Sequence, residues 1–106
     1  MKKYLEIKNP TKDLNALRVE VYYNKGGYNL WTYKEEKRGY YASVMPVCRN
    51  GFMESYTCFT GVKQLIKEVN RKSEKAYNDA INAAGDVIEK LIDYVCTEYN
   101  IEVLNA

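Results

Sequence analysis

The sequence predicts an α+β domain: an antiparallel β-meander of about four strands packed against one long C-terminal amphipathic helix. Three observations carry this. Leu17, Val19, Val21 and Tyr23 alternate with Arg18, Glu20 and Tyr22, the period of a half-buried strand. Asn24-Lys25-Gly26-Gly27 and Asn50-Gly51 supply the turn residues that hairpins need. Beyond Ser73 the period changes, and Tyr77, Ile81, Ala84, Ile88, Leu91 and Val95 recur in steps of four and three along one helical seam. At 106 residues the chain is a single domain, 1–106.

The elements follow in order. Met1 to Leu14 is charged and broken by Asn9-Pro10; Tyr4, Leu5 and Ile7 offer an edge strand or loose packing. After the strand from Leu17 and the glycine turn, Tyr28 to Tyr33 reads as a second strand, and the polar run Lys34 to Gly39 as the next turn. Tyr40 to Val47 is apolar on both faces, as a central strand is, with an edge-facing position or a bulge expected near Pro46. Asn50-Gly51 then leads to a fourth strand, Met53 to Phe59.

Val62 to Val69 fits two templates. Val62, Leu65, Ile66 and Val69 match a helix, while Leu65, Lys67 and Val69 alternate like a strand; the helix is favoured. Ser73 caps the long helix, and Asp79, Asp86 and Asp93 fall on its solvent side. Gly85 costs about 1 kcal/mol of helix propensity relative to Ala, which close approach to the sheet or a bend would explain. The tail Ile101 to Leu104 adds a short strand or packs back on the helix. The sheet and the helix each have one apolar face to bury and hide them against each other, although the seam also suits helix pairing, so a monomer or homodimer is expected.

Composition bounds the chemistry. The apolar set is 46% of the chain, and removing eleven tyrosines leaves 38 residues, enough for a modest core. There is no His, so Ser-His-Asp and Cys-His catalysis are excluded within this chain. Cys48, Cys58 and Cys96 form no C-x-x-C pair, which disfavours a structural zinc site; they read as small hydrophobes, with Cys48 beside Arg49 as the one candidate thiolate. No phosphate-binding glycine motif exists, Glu35-Glu36 reads as a solvated pair, and neither a cofactor nor an enzymatic activity is expected. No stretch approaches the roughly 18 apolar residues of a membrane span, and the N-terminus lacks a signal pattern, so no membrane contact and a cytoplasmic location are expected.

Charge and aromatics point to binding. The net +2 splits into +7 over residues 1–75 and −5 over residues 76–106. Sign-separated surfaces steer oppositely charged partners. Asp79, Asp86, Glu89 and Asp93 on the helix, or Tyr22, Tyr33 and Arg38 on the sheet, are the candidate contacts for a protein. The alternative is a single-stranded nucleic acid held by Tyr22, Trp31 and Tyr41 with the basic cluster Lys67, Arg71, Lys72 and Lys75. The mild pI of 8.3 and the lack of an RNP motif weigh against it.

The stretch from Leu17 to Val47, especially VYYNKGGYN and KRGYYASVMPV, followed by GVKQLIKEVNRKSEKA, resembles small proteins carried on phages and conjugative elements of gut Firmicutes. Proteins of that size and origin include anti-CRISPR proteins. The resemblance therefore implies a non-enzymatic inhibitor of a host defence protein, such as a CRISPR-Cas nuclease, acting by protein–protein contact. A nucleic-acid mimic would be strongly acidic, and this chain is not, so the acidic helix back or the Tyr-rich sheet would do the occupying.

Overall fold

The computed structural model describes residues 1–50, 53–56 and 61–104. In chain order the elements are β1 (Lys2–Glu6), β2 (Ala16–Asn24), β3 (Gly27–Asn29), β4 (Lys34–Glu36), β5 (Gly39–Asn50), β6 (Met53–Tyr56), β7 (Val62–Glu68) and α1 (Glu74–Tyr99). The α+β class is as the sequence predicts: an antiparallel sheet covered on one face by the C-terminal helix. Among the described residues no helix is long and apolar enough to cross a membrane.

The sheet runs β1, β2, β5, and the far edge of β5 is shared. β7 pairs with Gly39 to Val44, and β6 pairs with Val47 to Asn50. Pro46 falls in the gap between these two registers, fully buried opposite Leu17. Among the described residues no strand pairs with Pro46 on that side, where a missing N–H costs no ladder hydrogen bond. The bulge lies instead between Tyr40 and Tyr41.

Two of the expected elements change. Tyr28 to Tyr33 is not a strand of the sheet; β3 and β4 form a separate two-stranded arm, and β2 pairs directly with β5. The side-chain oxygen of Asn29 accepts from the N–H groups of Trp31 and Thr32 at 2.9 and 3.2 Å, and its carbonyl accepts from Tyr33 at 2.8 Å. That turn reverses the chain in the middle of what reads as one strand. Lys34 to Glu36, expected within a turn, is the return strand of the arm.

Val62–Glu68 is a strand rather than a helix. The bulge explains the helical look of its sequence. Leu65 pairs with Tyr41 and Lys67 with Tyr40, so Ile66 is an extra residue, and the adjacent Leu65 and Ile66 are both half-buried. Along Gly39–Val44 the edge of β5 would otherwise carry unpaired backbone groups beside the core, each costing about 1–3 kcal/mol, whereas eight isolated residues make a marginal helix. The hairpin between β5 and β6 forms with Asn50 opposite Met53; Gly51, and Thr57 to Phe59 of the expected fourth strand, lie outside the described residues.

Helix α1 begins at the expected cap, where the Ser73 hydroxyl accepts from the N–H of Ala76 at 3.0 Å. It ends at Asn100, whose left-handed backbone (φ 55°) lets its N–H return to the carbonyl of Cys96. Its buried face is Ala76, Ala80, Ala84, Ile88 and Val95, set on Leu17, Val19, Val21, Ala42 and Val44. The expected seam is therefore rotated slightly: Tyr77, Ile81 and Leu91 are half-buried flanks, and the alanine row meets the sheet. Small side chains there let the helix backbone approach the strands. Val103 bridges Ile7, so the tail extends the sheet edge beside β1.

Gly85 is not at a close approach. It is exposed, and a Cβ placed on it meets nothing within 4 Å. Gly39 is the opposite case, since a Cβ there would lie 2.2 Å from the Lys67 carbonyl oxygen. Gly85→Ala is therefore expected to stabilise the fold by up to ~1 kcal/mol, raising Tm by about 4–8 °C per kcal/mol. Gly39→Ala is expected to lower Tm by forcing β7 from β5. Thermal melts by circular dichroism check both, and a Gly85→Ala variant that melts lower would overturn the account of its surroundings.

Candidate binding surfaces

The sheet face away from α1 carries Tyr4, Arg18, Glu20, Tyr22, Tyr41, Ser43, Met45 and Lys63. Two ionic clusters organise it. In the first, Arg18 binds Glu54 with Nη1 to Oε1 at 2.5 Å, and the Tyr4 hydroxyl donates to the same carboxylate. Arg49 lies over the Tyr4 ring at 3.6 Å, so it serves that ring rather than the Cys48 thiol. Cys48 Sγ sits 2.8 Å from Ser55 Oγ. In the second cluster, Lys63 pairs with Glu36, which also accepts from Asn24 Nδ2 at 3.1 Å. Glu36 is thus committed to an ion pair instead of standing as a solvated twin of Glu35.

These contacts shift protonation in readable directions. The Lys63 hydrogen bond, helped by Asn24, holds the Glu36 carboxyl below its ordinary 4.5 against the opposing effect of burial. The Tyr4 hydrogen bond, then Arg18, does the same for Glu54. Burial, reinforced by Glu36, pushes the Tyr22 phenol up to about 12, and burial raises that of Tyr41. Burial and then Asp93 raise the Cys96 thiol. Tyr22, Tyr41 and Cys96 are thus kept protonated at neutral pH. Among the described residues no three His, Cys, Asp or Glu side chains gather as metal ligands would.

The β3–β4 arm stands over this face. Its base is pinned: Asn24 Oδ1 accepts from the Gly26 N–H at 2.8 Å, and Arg38 Nε donates to the Lys25 carbonyl at 2.8 Å. Gly26 has φ 76°, and a Cβ on it would meet the Glu36 carbonyl oxygen at 2.9 Å, so the turn requires glycine. A cleft of about 410 Å³ opens between Asn29 and Trp31 of the arm and Tyr22, Met45 and Lys63 of the sheet. At the tip, Trp31 is 92% exposed, Tyr33 76% and Leu30 75%. Tyr33 also holds a left-handed backbone (φ 58°), a conformation in which Gly or Asn is far less strained.

The candidate residues divide among these places. Tyr22 and Tyr41 stack with ring centroids 6.1 Å apart, but Tyr41 is buried and its hydroxyl donates to the Lys37 carbonyl at 2.7 Å. Tyr33 and Trp31 are at the arm tip, and Arg38 at its base. Asp79, Asp86, Glu89 and Asp93 lie exposed on α1 beyond the other face, with Asp79 paired to Lys67 at 3.4 Å. Of the residues expected to hold a single strand, Tyr22 and Trp31 line the cleft under the arm, Lys72 lines a second cleft that Tyr22 also borders, and Lys67 is paired with Asp79 of α1. Leu30 was missed as a contact because a strand from Tyr28 to Tyr33 would bury alternate residues. The available signal was Asn29 ahead of two consecutive large apolar residues, a turn former with nothing to alternate.

The geometry defines an antiparallel sheet-and-helix domain bearing an aromatic-tipped arm. No family model, curated protein or solved structure matches the chain.

The lowered Glu36 and Glu54 values fix a pH dependence. A carboxylate whose folded pKa lies below its unfolded value contributes stability that is fully present above the unfolded value. That contribution is lost as pH falls through the folded one. Melting temperature is expected to fall as pH drops below about 5, and Glu36→Gln is expected to flatten part of that fall. Thermal melts across this range check it, and an identical pH profile for both proteins would remove the Lys63–Glu36 pair from the account.

Proposed function

We propose that this chain is a non-enzymatic binding protein that docks on a partner protein through the tip of the β3–β4 arm. The near-complete exposure of Trp31, flanked by Leu30 and Tyr33, carries this reading. Folding alone gives no return for leaving three large apolar side chains in water, and Trp and Tyr are the residues that most often dominate interfaces. The pinned base and the Asn29 turn hold the tip in place before contact, which lowers the entropy lost on binding. The left-handed backbone of Tyr33 adds support, because backbone strain of this kind clusters at binding and switch sites. The resemblance to small mobile-element proteins supplies the partner class: a host defence protein, such as a CRISPR-Cas nuclease, inhibited by occupation of its surface.

The chain has a single Trp, so Trp31 reports its own environment. In the free protein its fluorescence is expected to be quenched by acrylamide nearly as freely as a model indole, and to become protected and blue-shifted on binding. In affinity capture from nuclease-treated host lysate, Trp31→Ala is expected to weaken retention of the partner by roughly 30-fold, the scale of a ~2 kcal/mol hot spot. Its far-UV circular dichroism should be unchanged. Retention that is indifferent to Trp31→Ala and Tyr33→Ala would sink the arm as the docking element.

A further inference from the structure

On the helix side of the sheet a second site is built from different residues. Tyr23 of β2 pairs with Tyr40 of β5, their rings edge-to-face at 5.3 Å, and Tyr40 meets Tyr77 of α1 edge-to-face at 5.9 Å. The hydroxyls fix the rings. Tyr23 donates to the Asn70 carbonyl and Tyr40 to the Ser73 carbonyl, each at 3.3 Å, while Tyr77 accepts from the Met1 nitrogen at 2.5 Å. Between these rings and Lys72 lies an open cleft of about 570 Å³.

The cations around it are sorted by pairing. Lys37 and Lys67 are neutralised by Glu68 and Asp79 at 3.8 and 3.4 Å. Lys25, Arg38, Arg71, Lys72 and Lys75 make no ion pair among the described residues. Arg38 gathers this band: it donates to the Lys25 carbonyl at 2.8 Å and to the Asn70 carbonyl at 3.5 Å, which brings the 24–27 and 37–39 loops to the segment that carries Arg71 and Lys72. Glu74 is the one carboxylate among the residues lining the cleft.

We propose that this end of the molecule binds single-stranded nucleic acid, with a base against Tyr23 and Tyr77 in the cleft and the flanking phosphates along Lys25, Arg38, Arg71, Lys72 and Lys75. One phosphate needs one or two cations, whereas five cations without ion pairs, one of them lining the cleft and the others close to it in the chain or tied to it through Arg38, match a chain of phosphates. Aromatic walls inside the band select a base free to leave its stack, so the strand is single rather than double. The site is separate from the arm tip, which lies over the opposite face of the sheet.

Fluorescence anisotropy with labelled twelve-nucleotide dT and rU strands tests this without any partner protein. The competitors are a duplex of the same length, ATP and heparin. The single strands are expected to bind with a salt-dependent affinity, and Arg71→Ala with Lys72→Ala to reduce the magnitude of the log–log salt slope by about 1–2. Tyr77→Leu is expected to weaken binding by roughly 5- to 100-fold, the range of one base–aromatic stack. Tyr77→Phe, which keeps the ring, should restore it. Lys90→Ala, on the acidic half of the helix, should leave binding unchanged. Absence of strand binding would overturn the proposal. So would the duplex, ATP or heparin displacing the labelled strand as well as unlabelled single strand does, or a Tyr77→Leu protein of native circular dichroism that binds normally.

Discussion

The twelve residues of β5 need partners along both edges, and much of the molecule is arranged to supply them. Buried backbone N–H and C=O groups left unpaired cost about as much as a lost hydrogen bond each. β2 serves one edge over nine residues, while β7 and β6 divide the other. This division fixes two local features. Among the described residues Pro46 falls between the two short ladders, and at the far end Gly39 gives the Lys67 carbonyl a space that no side chain could leave. The close approach at Gly39 brings the 37–39 and 69–73 segments together. Arg38, the Tyr cleft and the base of the arm all follow from that convergence.

Where neighbouring residues alone decided the outcome, the sequence was legible. The alternation of β2, the Ser73 cap, the long helix and its solvent-facing aspartates are local properties, and each is found where it was expected. Where a distant partner decides it, the local pattern misleads. β7 looks helical because a bulge opposite Tyr40 and Tyr41 places Leu65 and Ile66 side by side in half-buried positions, and a bulge is a property of two strands. The buried helix face lies one position from the seam of large residues because Ala76 and Ala80 permit the closest packing. The candidate surface was partly legible. Tyr33 and Trp31 were identified, but as members of a sheet face, since nothing local distinguishes Asn29 as a strand residue from Asn29 as the acceptor that turns the chain.

The charge split becomes more specific in three dimensions. Of the +7 over residues 1–75, Lys63 and Arg18 are spent inside the outer face on Glu36 and Glu54. They brace the arm and the β6 edge and are not free to steer a partner. Lys67 is likewise taken by Asp79, the first of the helix aspartates. Among the described residues, the band from Lys25 to Lys75 remains without an ion pair near the helix start, and Glu74, Asp86, Glu89, Asp93 and Glu98 remain so along the helix. The two signs thus lie along one axis, with cations at the N-terminal end of α1, where the helix dipole offers them no stabilisation. Charges that reinforce neither the dipole nor an internal carboxylate contribute little to holding the fold together. Their concentration beside an aromatic cleft is the kind of arrangement that an external polyanion, rather than the protein's own stability, would account for.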